Sequence, residues 1–265
     1  KDPGKLQLGG DTRELSILFS DLRDFTTLSE QFKSKPQELT DLINKYLTPM
    51  TGCVIDNNGT VDKFIGDALM AFWNAPVDDE DHRVNTINCA LEMFELLKQL
   101  NVELKEKDIE LRMGIGVNTG SVVVGNMGSN QRFDYTCLGD AVNLSARLES
   151  QTKSYKVGLL VGEQTKLGIE DKFNFIELDE IAVKGKTEGV KIYTIIDSNK
   201  YVIEHATFLD AYVNQRWDSA IEQANINKDL IPTIASYYDM MIDRIEILKT
   251  SNNENWDAIF RSTSK

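Results

Sequence analysis

The chain is poor in the residues that staple small secreted proteins together. Among 265 residues there are three cysteines, Cys53, Cys89 and Cys137, and two histidines, His82 and His205. Cysteines so few and so widely spaced form neither a disulfide framework nor a zinc pattern, which points to a reducing compartment, the cytoplasm. Two distant histidines argue against chemistry centred on imidazole. No apolar run approaches the roughly 18–20 residues that span a bilayer, so direct membrane insertion of this segment is not expected. No signal peptide is visible either. Basic residues are also scarce: 29 Lys and Arg stand against 42 Asp and Glu, a net charge of −13. That balance argues against nucleic-acid binding and against attraction to an anionic membrane. A locally basic pocket for an anionic ligand is still compatible with it. The chain starts at Lys1 and reads as a piece of something longer, with room upstream for a sensor or membrane domain.

What is present has an α+β texture. Residues 1–13 are a polar lead-in, and 14–20 predict a strand. Leu39, Leu42, Ile43, Tyr46, Leu47 and Met50 recur at helical spacing, so a helix is expected between about 26 and 55, with Pro36 suited to a first turn. Strands at 60–65 and 68–73 are joined by Gly66-Asp67, which suits a two-residue hairpin turn. The acidic run 78–81 reads as the start of a helix over 82–105, favoured by the helix dipole, or as a cation site. Strands are expected at 111–117, 121–124, 133–137, 157–161, 173–178 and 190–196, with a helix at 140–151. Antiparallel hairpins alternating with crossover helices give the α+β class. Beyond 198 the pattern turns helical, at 201–213, 217–225 and 231–249. Phe208 to Ile221 weakly resembles one tetratricopeptide-type hairpin, which needs a surface to pack on. The expected division is a lead-in (1–13), a main domain (14–197) and an all-helical extension (198–265).

The polar residues worth singling out sit at strand ends. Asp21 ends the apolar strand Leu15–Ser20, and Asp67 stands at the hairpin tip. Alone, either aspartate suits a turn cap. Together they would make a hard oxygen site for Mg²⁺ or Mn²⁺. After Asp21 comes Leu22-Arg23-Asp24-Phe25-Thr26-Thr27, a tight passage into a helix whose N–H groups can hold phosphate oxygens. Asn143 and Arg147 are four residues apart, on one face of the 140–151 helix, where an amide and a guanidinium can hold a ribose oxygen and a phosphate. Arg112 opens a strand and Lys184 lies in a basic turn; both suit phosphate contact. Gly114, Gly116 and Gly120 lack the spacing of a dinucleotide fingerprint and read as close backbone packing.

Phe19-Ser20-Asp21-Leu22-Arg23-Asp24-Phe25-Thr26, Lys63-Phe64-Ile65-Gly66-Asp67, Arg112-Met113-Gly114-Ile115, Tyr135-Thr136 through Arg147, and Val183-Lys184-Gly185-Lys186 occur in an order that resembles the class III nucleotidyl cyclase catalytic domain. The resemblance implies a ferredoxin-like core with a mixed, mainly antiparallel sheet, working as a head-to-tail homodimer. It implies two divalent cations, Mg²⁺ or Mn²⁺, on Asp21, Asp67 and the carbonyl of Leu22. Lys63 and Thr136 match the purine-reading positions, a pairing that points to ATP; Cys137 is one residue off. Phe25 and Thr26 match the phosphate loop, and Arg112 and Lys184 the terminal-phosphate contacts. Asn143 matches the ribose-orienting amide. Arg147 matches the arginine that stabilises charge on the reacting phosphate. One subunit would supply the metal aspartates and Arg112, the other Lys63, Thr136, Asn143, Arg147 and Lys184. The implied activity is that of an adenylyl cyclase making cyclic AMP and pyrophosphate, with a guanylyl cyclase or an inactive regulatory cyclase fold as the alternatives. One departure stands out: many members carry Gly where this chain has Asp24.

Overall fold

A computed structural model of the chain describes residues 8–129, 131–182, 189–251 and 256–261. The chain divides into two compact units, Lys1–Glu149 and Ser150–Lys265.

The first unit is built on β1 (Gly9–Leu22). Leu15, Ile17 and Leu18 are wholly buried. Adjacent residues of a strand face opposite sides, so burial of both Ile17 and Leu18 marks a strand covered on both faces. It pairs antiparallel with β3 (Ala68–Trp73) on one side and β4 (Met113–Gly128) on the other. β2 (Thr60–Ile65) adds beyond β3, and β5 (Phe133–Leu138) pairs with β4, both antiparallel. Ile65 pairs with Ala68, so Gly66-Asp67 is the expected two-residue turn. Gly66 takes a φ of 67°, a backbone glycine adopts freely. A core of Leu15, Ile17, Met70, Phe72, Val122, Val124 and Cys137 fills one side of these strands.

Four helices accompany the sheet: α1 (Phe25–Gln31), α2 (Pro36–Asp56), α3 (His82–Leu104) and α4 (Asp140–Tyr155), within which the division falls. The single helix expected over 26–55 is two. Lys35, at φ −141° and ψ 61°, is not helical, because the ring of Pro36 disfavours a helical residue before it. Pro36 then opens α2, whose face Leu42, Tyr46, Met50, Cys53 and Val54 is buried. The strands expected at 111–117 and 121–124 are one, β4, running through Gly120. Gly116 explains why a glycine belongs there. A Cβ on it would lie 2.1 Å from the Glu149 nitrogen and 2.4 Å from the Ser145 carbonyl oxygen. Only a residue without a side chain lets α4 rest on the strand. The acidic run precedes α3, and Asp79 accepts from the Asn85 side chain and the Asp81 N–H.

The second unit carries β6 (Leu159–Gly162), the one-turn helix α5 (Glu163–Lys166), β7 (Phe175–Ala182) and β8 (Gly189–Ile195). β8 lies between β6 and β7, antiparallel to both. The helices α6 (Val202–Val213), α7 (Trp217–Leu230) and α8 (Ala235–Lys249) follow. A two-residue strand, β9 (Ile259–Phe260), runs parallel to β7 and is the only strand among the described residues after 198. The helices seat on β7 through polar groups. His205 Nε2 donates to the Glu177 carbonyl at 2.6 Å, and the Tyr237 hydroxyl donates to the Leu178 carbonyl at 2.7 Å. Arg244 pairs with the buried Asp179, which also accepts from the Tyr155 hydroxyl. Among the described residues no helix is long and apolar enough to cross a membrane.

Candidate active site

β1 and the β2–β3 hairpin bring Asp21 and Asp67 together. Asp21 sits one residue before the end of β1, opposite Gly114, while Asp67 is the second residue of the hairpin turn. Their carboxyl groups lie within hydrogen-bonding reach. Burial, with the Asp21 carboxyl hydrogen-bonded and charged beside it, pushes the Asp67 carboxyl up to about 7. Two like charges in contact resist joint ionisation unless a cation is added. Asp67 Oδ2 is buried without a hydrogen-bond partner. A pair of carboxylates with one oxygen unsatisfied suits Mg²⁺ or Mn²⁺, which take hard oxygen ligands and share them with nucleotide phosphates. No cluster of three or more His, Cys, Asp or Glu side chains that could cage a metal occurs among the described residues. Tyr46, buried on α2, lies close enough for both aspartates to raise its hydroxyl, already raised by burial. Its hydroxyl donates to Met113 Sδ at 3.2 Å.

A second polar group forms where β2 meets β5. The Thr136 hydroxyl donates to Asp62 Oδ2 at 2.5 Å, and Lys63 Nζ stands 3.1 Å from Asp62 Oδ1. Asp62 thus joins the two expected base-reading residues, and its side chain is fully buried while that of Lys63 is 42 % exposed. The β2–β3 register shifts between Val61 and Lys63, a bulge at Asp62. Bulges re-aim side chains, and this one is where the aspartate departs from the strand's alternation. Cys137 is buried in the core beside Val122 and Val124. Burial and the nearby Asp62 push its thiol up to about 12.

The remaining expected residues that are described lie at the ends of β1 and α1, before β4 and on α4. Phe25 and Thr26 open α1, and Leu22 pairs with Met113 at the end of β1. Arg112 immediately precedes β4 and pairs with Asp24 at 3.1 Å, both exposed. Asp24 has a φ of 57°, in the left-handed region. Glycine adopts that conformation most freely, and aspartate is among the few other residues that tolerate it. Asn143 is exposed and Arg147 half-buried on α4. Lys184 lies outside the described residues. Sequence reasoning missed Asp62, Tyr46 and the Arg23–Glu149 pair, 3.2 Å apart, which ties the segment after Asp21 to α4. Tyr46 was visible only as an apolar helix position, and nothing in the sequence marks the bulge.

The first unit is thus an antiparallel sheet that carries a strand-end carboxylate pair and, where β2 meets β5, a lysine–aspartate–threonine group. Residues 10–197 match the family described as the adenylate and guanylate cyclase catalytic domain, and the chain belongs to that family. Adenylate cyclase 1 of Rhizobium meliloti is 33% identical over 185 residues, 69% of this chain and 28% of that protein. The terminal-differentiation-specific adenylate cyclase of Dictyostelium discoideum is 31% identical over 83% of this chain and 11% of its own length. The chain therefore spans less than a third of either relative. Among solved structures, the adenylyl cyclase CyaB from P. aeruginosa matches with a TM-score of 0.66 at 34% identity, over 73% of this chain and 98% of that one. The guanylyl cyclase Cya2 matches with a TM-score of 0.63, also at 34% identity, over 71% and 94%.

Proposed function

We propose that the chain is an adenylyl cyclase, in which the ribose 3′-hydroxyl of ATP attacks the α-phosphorus, 3′,5′-cyclic AMP forms and pyrophosphate leaves. The observation that carries this reading is the contact of Asp21 with Asp67, one of whose oxygens is buried and unsatisfied. Those two carboxylates, with the Leu22 carbonyl, would hold two divalent cations, which activate the 3′-hydroxyl and neutralise the triphosphate when bound. Lys63 and Thr136 read the purine, and Asn143 orients the ribose. Arg147 stabilises the charge that builds on the reacting phosphate, a contact of a kind worth about 3–4 kcal/mol of barrier. Phe25, Thr26, Arg112 and Lys184 bind the phosphates. The equal 34% identity to an adenylyl and a guanylyl cyclase leaves the base to the site itself, and the Lys63–Asp62–Thr136 cluster favours adenine.

The working form is a head-to-tail homodimer, with each chain lending its aspartates to one site and its base readers to the other. Phe64 and Ile65 at the hairpin end are exposed, as are the paired neighbours Val123 and Leu138, apolar surface of the kind a second copy would cover. Residues 14–197 form the catalytic domain in this reading, and 198–265 are its extension. Asp67→Asn tests the assignment. It is expected to lower cyclic AMP formation at least about 100-fold in Mn²⁺ while sedimentation still finds a dimer. Equal inactivity of wild type and variant in Mn²⁺ would make the chain a regulatory cyclase fold instead.

A further inference from the structure

We propose that Asp62 is a positioning residue that fixes the hydrogen-bond polarity of the base pocket, and so makes it select a 6-amino purine. The inference rests on Lys63 and Thr136 being the base readers. A threonine hydroxyl has one proton and two acceptor lone pairs, and it ordinarily rotates to suit its partner. Here the proton is committed, because Thr136 donates to Asp62 Oδ2 at 2.5 Å. What Thr136 can offer a base is then an acceptor only. Lys63 has donors only, and its ammonium lies 3.1 Å from the other oxygen of the same carboxyl, an ion pair without a hydrogen bond to that oxygen. One buried side chain therefore turns the threonine and pairs with the lysine, leaving a donor beside an acceptor.

That pattern is complementary to one purine edge. Adenine presents N1 as an acceptor and its 6-amino group as a donor, which match Lys63 and Thr136. Guanine presents the reverse, an N1–H donor and an O6 acceptor, and would face Lys63 with a donor and Thr136 with lone pairs. A threonine free to turn could offer its proton to O6, and the carboxyl of Asp62 removes that freedom. The side chain of Asp62 is 0 % exposed, so water does not compete for it. The bulge in β2 between Val61 and Lys63 accompanies this inward placement.

Asp62→Asn tests this, because the amide has nearly the same shape and can donate to Thr136 Oγ1, releasing the hydroxyl proton toward the base. The ratio of kcat/KM for ATP to that for GTP is expected to fall by about tenfold or more, the worth of one hydrogen bond gained and one lost. The change should fall on KM for ATP, with kcat held within a few-fold. A purely structural Asp62 would lower both nucleotides alike and leave the ratio unmoved, which would overturn the proposal. Thr136→Val separates the two levels of the argument. If Thr136→Val leaves the ratio unchanged, the base-reader assignment itself fails. If it moves the ratio and Asp62→Asn does not, only the role of Asp62 fails. In the double variant Asp62→Asn should add nothing to Thr136→Val, and additive effects contradict the proposal. Should Asp62→Asn not fold, the wild-type enzyme still decides: inosine triphosphate, with its 6-oxo group and N1–H, must compete with ATP at least about tenfold more weakly than ATP itself, and equal competition overturns the proposal.

Discussion

Gly116→Ala places a methyl group where α4 rests on β4. The added Cβ would stand 2.1 Å from the Glu149 nitrogen and 2.4 Å from the Ser145 carbonyl oxygen. Both are backbone atoms, so no side chain can swing aside. Ordinary contact between such atoms is about 3.5 Å, and restoring it requires α4 to retreat by about 1.4 Å. Overpacking of this kind costs about 1–3 kcal/mol. The same helix carries Asn143 and Arg147, so the proposed ribose and phosphate contacts move with it. A misplacement of about 1 Å in positioning groups can cost roughly 100-fold in rate. The expected result is a folded protein with a lower melting temperature, a KM for ATP close to wild type and kcat down about 100-fold. Initial rates of cyclic AMP formation beside a thermal melt provide the check. Wild-type kcat together with a wild-type melt would refute the claim that α4 is seated through Gly116.

Asp24→Asn should release Arg112 from its 3.1 Å exposed ion pair and leave it to the triphosphate. Exposed pairs are weak, so KM for ATP should fall by no more than about fivefold, and a rise in KM would contradict the assignment of Arg112. His205 makes acid stability a readout of how the helices sit on β7. Burial lowers its pKa to about 4, from an ordinary 6.5. The folded state keeps the ring neutral while the unfolded chain protonates below about 6.5, so its stabilisation is present above that pH and is lost toward 4. The loss approaches about 3 kcal/mol, read as the difference between wild-type and His205→Gln urea melts from pH 7 to 4. A flat difference would sink it.

The meeting of Asp21 and Asp67 in the candidate site was legible because strand ends are legible. The apolar run into Asp21 and the Gly66-Asp67 turn predict where two carboxylates emerge, and the structure brings them into contact. The left-handed backbone at Asp24 is one that aspartate tolerates. Other features depended on pairing. Residues 9–13 look like a polar lead-in, yet they extend β1 because β4 runs alongside them. Gly120 falls between two expected strands but lies within β4, since a glycine in a strand and a glycine in a loop look alike. Asp62 was hidden for a related reason. Strand alternation gives its direction only if the register is regular, and the bulge breaks it. In the C-terminal stretch the helical periodicity was plain, whereas β9 has two residues and owes its existence to β7.

The central claim is tested most directly by turnover of ATP against GTP in Mn²⁺, each cyclic product measured across a range of protein concentration. The account predicts that cyclic AMP exceeds cyclic GMP by about tenfold or more, with specific activity rising as the chains pair. Predominance of cyclic GMP would contradict the base assignment, and absence of either product at every concentration would contradict the cyclase reading.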